Sequence, residues 1–62
     1  MTREVWINQC AQRLIGMYGY GLYDAQGMAE TLAKQQAERY GDVSQWVPAF
    51  AVADECGREK AE

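Results

Sequence analysis

The chain has 62 residues, a net charge of −3, two cysteines and no histidine. A chain this short forms one small domain of marginal stability. Two isolated cysteines without histidine argue against a zinc site, so we expect no metal and no cofactor. The acidic balance makes nucleic acid an unfavourable partner, because it provides no long-range attraction for phosphate groups.

The negative charge is concentrated in the last third of the chain. Residues 1–41 are balanced, whereas residues 42–62 carry five acids against Arg58 and Lys60. No run approaches the roughly 20 apolar residues of a membrane span, and nothing after Met1 resembles a secretory leader. We therefore expect a cytoplasmic protein, away from the membrane, whose Cys10 and Cys56 stay reduced.

The first predicted helix spans residues 3–18. Thr2 suits the N-cap, where its hydroxyl accepts a hydrogen bond from a free backbone N–H, and Glu4 follows in the first turn, where the helix dipole favours an acid. Apolar residues recur at gaps of three and four, the spacing of one helical face. They are Trp6, Ile7, Cys10, Ala11, Leu14, Met17 and Tyr18.

The second predicted helix spans residues 22–40 and is rich in strong helix formers. Glu30 and Lys34 form an i,i+4 pair in the better orientation. Gly41 is suited to end the helix in the left-handed conformation. Its apolar stripe contains Ala25, Met28, Ala29, Leu32, Ala33, Ala37 and Tyr40.

The stretch MYGYGLYDAQGM, residues 17–28, joins these two helices. It lacks the third glycine and the preceding strand that a dinucleotide-binding loop requires. Gly19 suits the end of the first helix, and Gly21 or Asp24 suits the start of the second. This loop is therefore predicted to be a helix–helix turn, with Tyr18 in the core and Tyr20 and Tyr23 reaching solvent.

The last third predicts a turn at residues 42–46 and a third helix at about 48–56. Pro48 suits a first helical turn, and Gly57 is expected to end the helix, leaving residues 57–62 as a frayed tail. Its predicted buried side contains Phe50, Ala51, Ala53 or Val52, and Cys56.

Together these elements predict an all-α fold. The first two helices have matched lengths and a short link, which favours an antiparallel helical hairpin with a shorter third helix packed across it. Gly16 and Gly27 lie inside predicted helices away from the apolar stripes. They either allow a close approach or are tolerated at a cost of about 1 kcal/mol each.

One set of short segments extends over most of the chain: Trp6-Ile7, Ala11-x-Arg13-Leu14, Tyr18-Gly19, Ala25, Ala29-Glu30-x-Leu32, Tyr40, Pro48 and Ala51-Val52. Together these segments resemble a group of short acidic proteins encoded by bacteriophages and prophages. The resemblance implies a helical fold and a phage or prophage setting in the host cytoplasm, and implies no reaction. The third helix departs from that group, in which this helix begins with Ser or Thr, followed by Pro and acidic residues.

The residue types bear on three classes of function: an enzyme, a DNA-binding protein and a protein-binding module. An enzyme is disfavoured, because no histidine is present for general base chemistry and neither cysteine has a readable base partner. A helix-turn-helix DNA binder is the alternative: the second helix would present Gln26, Lys34, Gln35 and Arg39, but the hairpin has no basic stripe. The favoured function is binding to another protein, either an unidentified partner or a second copy.

The candidate contacts for a protein partner are aromatic, because aromatic side chains are enriched in interface cores. A homodimer would also supply the stability that a small domain lacks. The four candidate contact residues are Tyr20, Tyr23, Trp46 and Phe50. For Trp46 the alternative is a structural role, in which it caps the open end of the hairpin.

Overall fold

A computed structural model describes the backbone of residues 1–61 and the side chains of residues 1–59. Three α-helices account for most of the described chain: α1 at Arg3–Tyr18, α2 at Leu22–Tyr40 and α3 at Ala49–Ala61. A short 3-10 turn at Val43–Gln45 links α2 to α3. The all-α, three-helix prediction is confirmed for the described residues, and the bounds of the first two helices agree with it.

The caps of α1 are those that its sequence predicts. The Thr2 hydroxyl accepts a hydrogen bond from the Val5 N–H at 3.2 Å. Gly19 has a φ of 71°, in the left-handed region, and its N–H donates to the Ile15 carbonyl at 3.2 Å. This glycine turns the chain at the end of α1, where an L side chain would be strained.

The start of α2 follows directly, with Gly21 at the N-cap and Asp24 in the first turn. At its other end Gly41 has a positive φ of 76°, and its N–H donates to the Ala37 carbonyl at 2.9 Å. The turn between α1 and α2 is therefore short, and Asp24 itself is not the cap. Of the two alternatives for the start of α2, the structure has Gly21.

Helix α3 differs from the prediction, because it continues through Gly57 to Ala61. Gly57 is buried inside the helix and lies against the ring of Tyr18. A Cβ at position 57 would approach the Tyr18 Cγ to 2.5 Å, closer than real Cβ contacts. Gly57 is therefore a close-approach residue rather than a helix terminator, and of the predicted tail, residues 57–61 are helical; Glu62 lies outside the described residues.

The buried side of α3 agrees with the prediction at Val52 and Ala53 and differs from it at Phe50. Phe50 is 59% exposed, while Ala51 and Cys56 are half-buried. Most of the residues that face the core are small, and small side chains let two helices pack at short range. This allows α3 to approach α1 closely at Gly57. The residues that face the core are Ala49, Val52, Ala53 and Gly57.

Helix α1 is the centre of the domain. The backbones of both α2 and α3 pack closely against it, whereas the backbones of α2 and α3 hardly approach each other. The core accordingly includes the large fully buried side chains of α1, which are Trp6, Cys10 and Leu14, and the fully buried alanines of α2, which are Ala25, Ala29 and Ala33. Met17, predicted to lie on this face, is instead mostly exposed, because α1 packs against α3 through Tyr18 at its last turn.

Candidate protein-binding groove

The separation of α2 from α3 leaves a groove between them, with a volume of about 490 Å³. Two of its residues on α2 are Met28 and Leu32, both half-buried. Val47 and Val52 line it from the other side. We call these four apolar side chains the floor of the groove.

The rims of the groove are polar and differ in charge. On α2 the rim consists of Gln35 and Arg39, and on α3 it consists of Glu55 and Glu59, all of them exposed. An apolar floor between polar rims is the arrangement found where an amphipathic helix binds in a groove. The periodicity of α2 predicted Met28 and Leu32 as buried, but only tertiary packing shows that they are covered on one side alone.

At Val47, which lines the groove, hydrogen bonds join three segments of the chain. Gln36, which is 7% exposed, accepts a hydrogen bond from the Val47 N–H at 3.0 Å through its Oε1. The Trp6 Nε1–H donates to the Val47 carbonyl at 2.9 Å. Both polar groups of the Val47 backbone are therefore satisfied by α1 and α2, which positions the entry into α3.

Trp46 contacts both Gly41 and Trp6. Its Nε1–H donates to the Gly41 carbonyl at 3.1 Å, and its ring meets that of Trp6 edge to face, with centroids 5.2 Å apart. Such an arrangement is favourable because the positive edge of one ring meets the negative face of the other. Trp46 is 8% exposed, so it supports the fold and offers little surface to a partner.

The contact between α1 and α3 is polar at its edge. The Arg13 guanidinium donates to both carboxylate oxygens of Asp54, through Nε at 2.9 Å and Nη2 at 3.1 Å. The Tyr18 hydroxyl also donates to Asp54, at 2.9 Å. The hydrogen bonds from Arg13 and then Tyr18 hold the pKa of the Asp54 carboxyl below its usual value.

Tyr20 occupies a different position from the one predicted. It is 7% exposed, and its hydroxyl lies 3.8 Å from the Cys56 Sγ. The prediction that Tyr20 reaches solvent is wrong, because the turn at Gly19 places the ring in the core next to α3. Tyr20 therefore ties the helix–helix turn to α3.

The two cysteines are free thiols. Burial, followed by the proximity of Cys56, raises the pKa of the Cys10 thiol to about 11. A thiol held neutral in this way behaves as a small apolar group rather than as a nucleophile. Cys56 is half-buried and lines the groove.

The remaining candidate contacts, Tyr23 and Phe50, are exposed. Tyr23 is 90% and Phe50 59% exposed. Tyr23 is the second residue of α2, and Phe50 is the second residue of α3. Their roles as protein contacts stay predictions, while Tyr20 and Trp46 have little accessible surface to offer.

The described residues contain no group of three or more cysteine, aspartate or glutamate residues placed to hold a metal ion. None of the helices in this part of the chain is long and apolar enough to cross a membrane.

Comparison of the chain with protein-family models, curated proteins and solved structures gives no match.

Proposed function

We propose that this chain is a small non-enzymatic protein that acts by binding another protein in the groove between α2 and α3. The observation that carries the proposal is a groove of about 490 Å³ whose lining includes four apolar side chains between charged ones. In a small domain, leaving such a surface uncovered sacrifices burial that would otherwise stabilise the fold. Binding of a partner would recover that burial.

The proposal also includes the cellular location of the protein. The resemblance to short acidic phage and prophage proteins supports a role in the cytoplasm of a bacterial host. The partner would then be a host or phage protein, or a second copy of this chain.

The test is capture of a protein from a bacterial lysate by the immobilised chain, combined with a variant that blocks the groove. Leu32→Glu places a charge on the apolar floor, whereas Tyr23→Ala alters an exposed side chain that does not line the groove. We expect the wild type and Tyr23→Ala to retain the same protein and Leu32→Glu to lose it. Circular dichroism must first show that both variants fold.

Self-association is measured in parallel by sedimentation over a range of concentrations. A dimer that is lost in Leu32→Glu would identify a second copy as the partner. Equal retention by all three proteins would contradict the groove as the binding surface. A wild-type monomer that retains nothing would contradict the proposal as a whole.

The helix-turn-helix alternative stays a separate hypothesis. Its candidate reading residues on α2 are exposed, but so are Glu30 and Glu38 on the same helix, which would repel phosphate. Binding to duplex DNA at low salt that weakens steeply as salt is raised would support this alternative. No retention of DNA at low salt would remove it.

A further inference from the structure

The charges along the groove restrict what binds there, and this inference rests on the proposed binding function. Glu55 and Glu59 lie one helical turn apart on the α3 rim, and Arg39 lies on the α2 rim. Among the side chains of residues 1–59 the ion pair is Arg13–Asp54, at the contact of α1 with α3. The three rim charges therefore have no ion-pair partner within the described side chains.

The length of the groove also restricts the occupant. On α2 it extends from Met28 to Tyr40, which corresponds to about 18 Å at 1.5 Å per residue. A helix of about three turns spans this distance. Its apolar residues would follow the i, i+3, i+4, i+7 spacing to contact the floor.

We infer that the occupant is an amphipathic helix of a different protein, with basic residues one turn apart along the edge that faces α3. Those residues would pair with Glu55 and Glu59, and an acid on the opposite edge would pair with Arg39. Complementary charges along the rims fix the orientation of a helix whose apolar stripe alone would tolerate either direction.

A second copy of this chain fits the groove less well. On α1 its exposed large apolar residues are Val5 and Ile15, which are nearly three helical turns apart, and Met17, which faces away from Ile15. The others lie at the ends of helices: Leu22 and Tyr23 in the first turn of α2, Tyr40 at its last residue, and Phe50 in the first turn of α3. None of the described helices thus presents a free apolar stripe, and residues 42–62 of a second copy would add acids to an acidic rim.

The experiment uses two labelled helical peptides with the same apolar stripe. In one the edge residues are lysines, and in the other they are glutamates. Binding is measured by fluorescence anisotropy to the wild type, to Glu55→Lys with Glu59→Lys, and to a matched control, Glu30→Lys with Glu38→Lys. Both double variants change net charge equally, but Glu30 and Glu38 do not line the groove.

We expect the lysine-edged peptide to bind the wild type about tenfold more tightly than the glutamate-edged peptide, the effect of two surface ion pairs. The rim variant should reverse this preference, and the control should keep it. If the wild type and both variants bind the two peptides equally well, the charge inference is overturned. Binding in the groove would still stand.

Two other outcomes are decisive. If the control lowers the preference as much as the rim variant does, net charge rather than the α3 rim is responsible and the inference is wrong. If neither peptide binds the wild type at any concentration tested, the groove does not accept a helix. That result would overturn both the inference and the binding surface that underlies it.

Discussion

The two faces on which α3 meets the rest of the domain differ in kind. Towards α1 it makes a close contact, with Gly57 against Tyr18 and Asp54 paired with Arg13. Towards α2 it leaves a groove with an apolar floor. One helix therefore carries both a structural contact and a surface available to a partner, and substitutions on its two sides should have different consequences.

The largest expected difference is between two leucines. Leu14 is fully buried on α1, and Leu32 is half-buried in the groove. Leu14→Ala should lower the free energy of unfolding by about 2–5 kcal/mol, because it leaves a cavity in the core. Leu32→Ala should cost less than about 1.5 kcal/mol, since water can fill the space it leaves.

Chemical denaturation of both variants measures this difference. Equal losses of stability would show that the groove is part of the closed core. Leu14→Ala is also expected to be only partly folded at 37 °C, because a domain of this size has little stability to lose.

The next difference is between two glycines. Gly57→Ala should destabilise the domain by about 1–3 kcal/mol, because its Cβ would overlap the base of the Tyr18 ring and separate α1 from α3. Gly16→Ala meets nothing within 4 Å and should stabilise it by up to about 1 kcal/mol. Melting temperatures of the two variants check this pair, and a stabilising Gly57→Ala would contradict the close contact.

A smaller effect, with a defined pH dependence, is expected from Asp54→Asn. The native pKa of Asp54 is lowered, so its carboxylate favours the folded state at neutral pH. That contribution is present above the unfolded pKa of about 4 and is lost as the pH falls through the lower native value.

Thermal unfolding at neutral pH and near pH 2 measures this effect. The wild type should be more stable than Asp54→Asn at neutral pH, and the gap should narrow in acid. A gap that stays constant would show that the carboxylate charge does not stabilise the contact between α1 and α3.

The helix limits were predictable where local chemistry decides them. Thr2, Gly19 and Gly41 act on backbone groups a few residues away, so the sequence alone indicates their roles. Gly57 resembled the same kind of terminator, but its role depends on Tyr18, which lies in another helix. The pattern of residues near position 57 contains no sign of that contact.

The candidate site was harder to predict for the same reason. Tyr20 was expected to reach solvent, and Trp46 was either a partner contact or a cap on the hairpin; packing between distant segments buries both. The Gln36 side chain accepts a hydrogen bond from the Val47 N–H. Nothing in the sequence distinguishes this buried glutamine from the exposed Gln35. The groove arises because α2 and α3 both pack on α1 and not on each other, which helical periodicity does not reveal.

Binding of a partner between α2 and α3 can be observed directly by NMR. Amide spectra of the ¹⁵N-labelled chain are recorded during titration with the lysine-edged peptide. We expect the shifted amides to cluster at residues 28–40 of α2 and 52–59 of α3. Shifts confined to the turn around Tyr23, or to the outer face of α1, would contradict it.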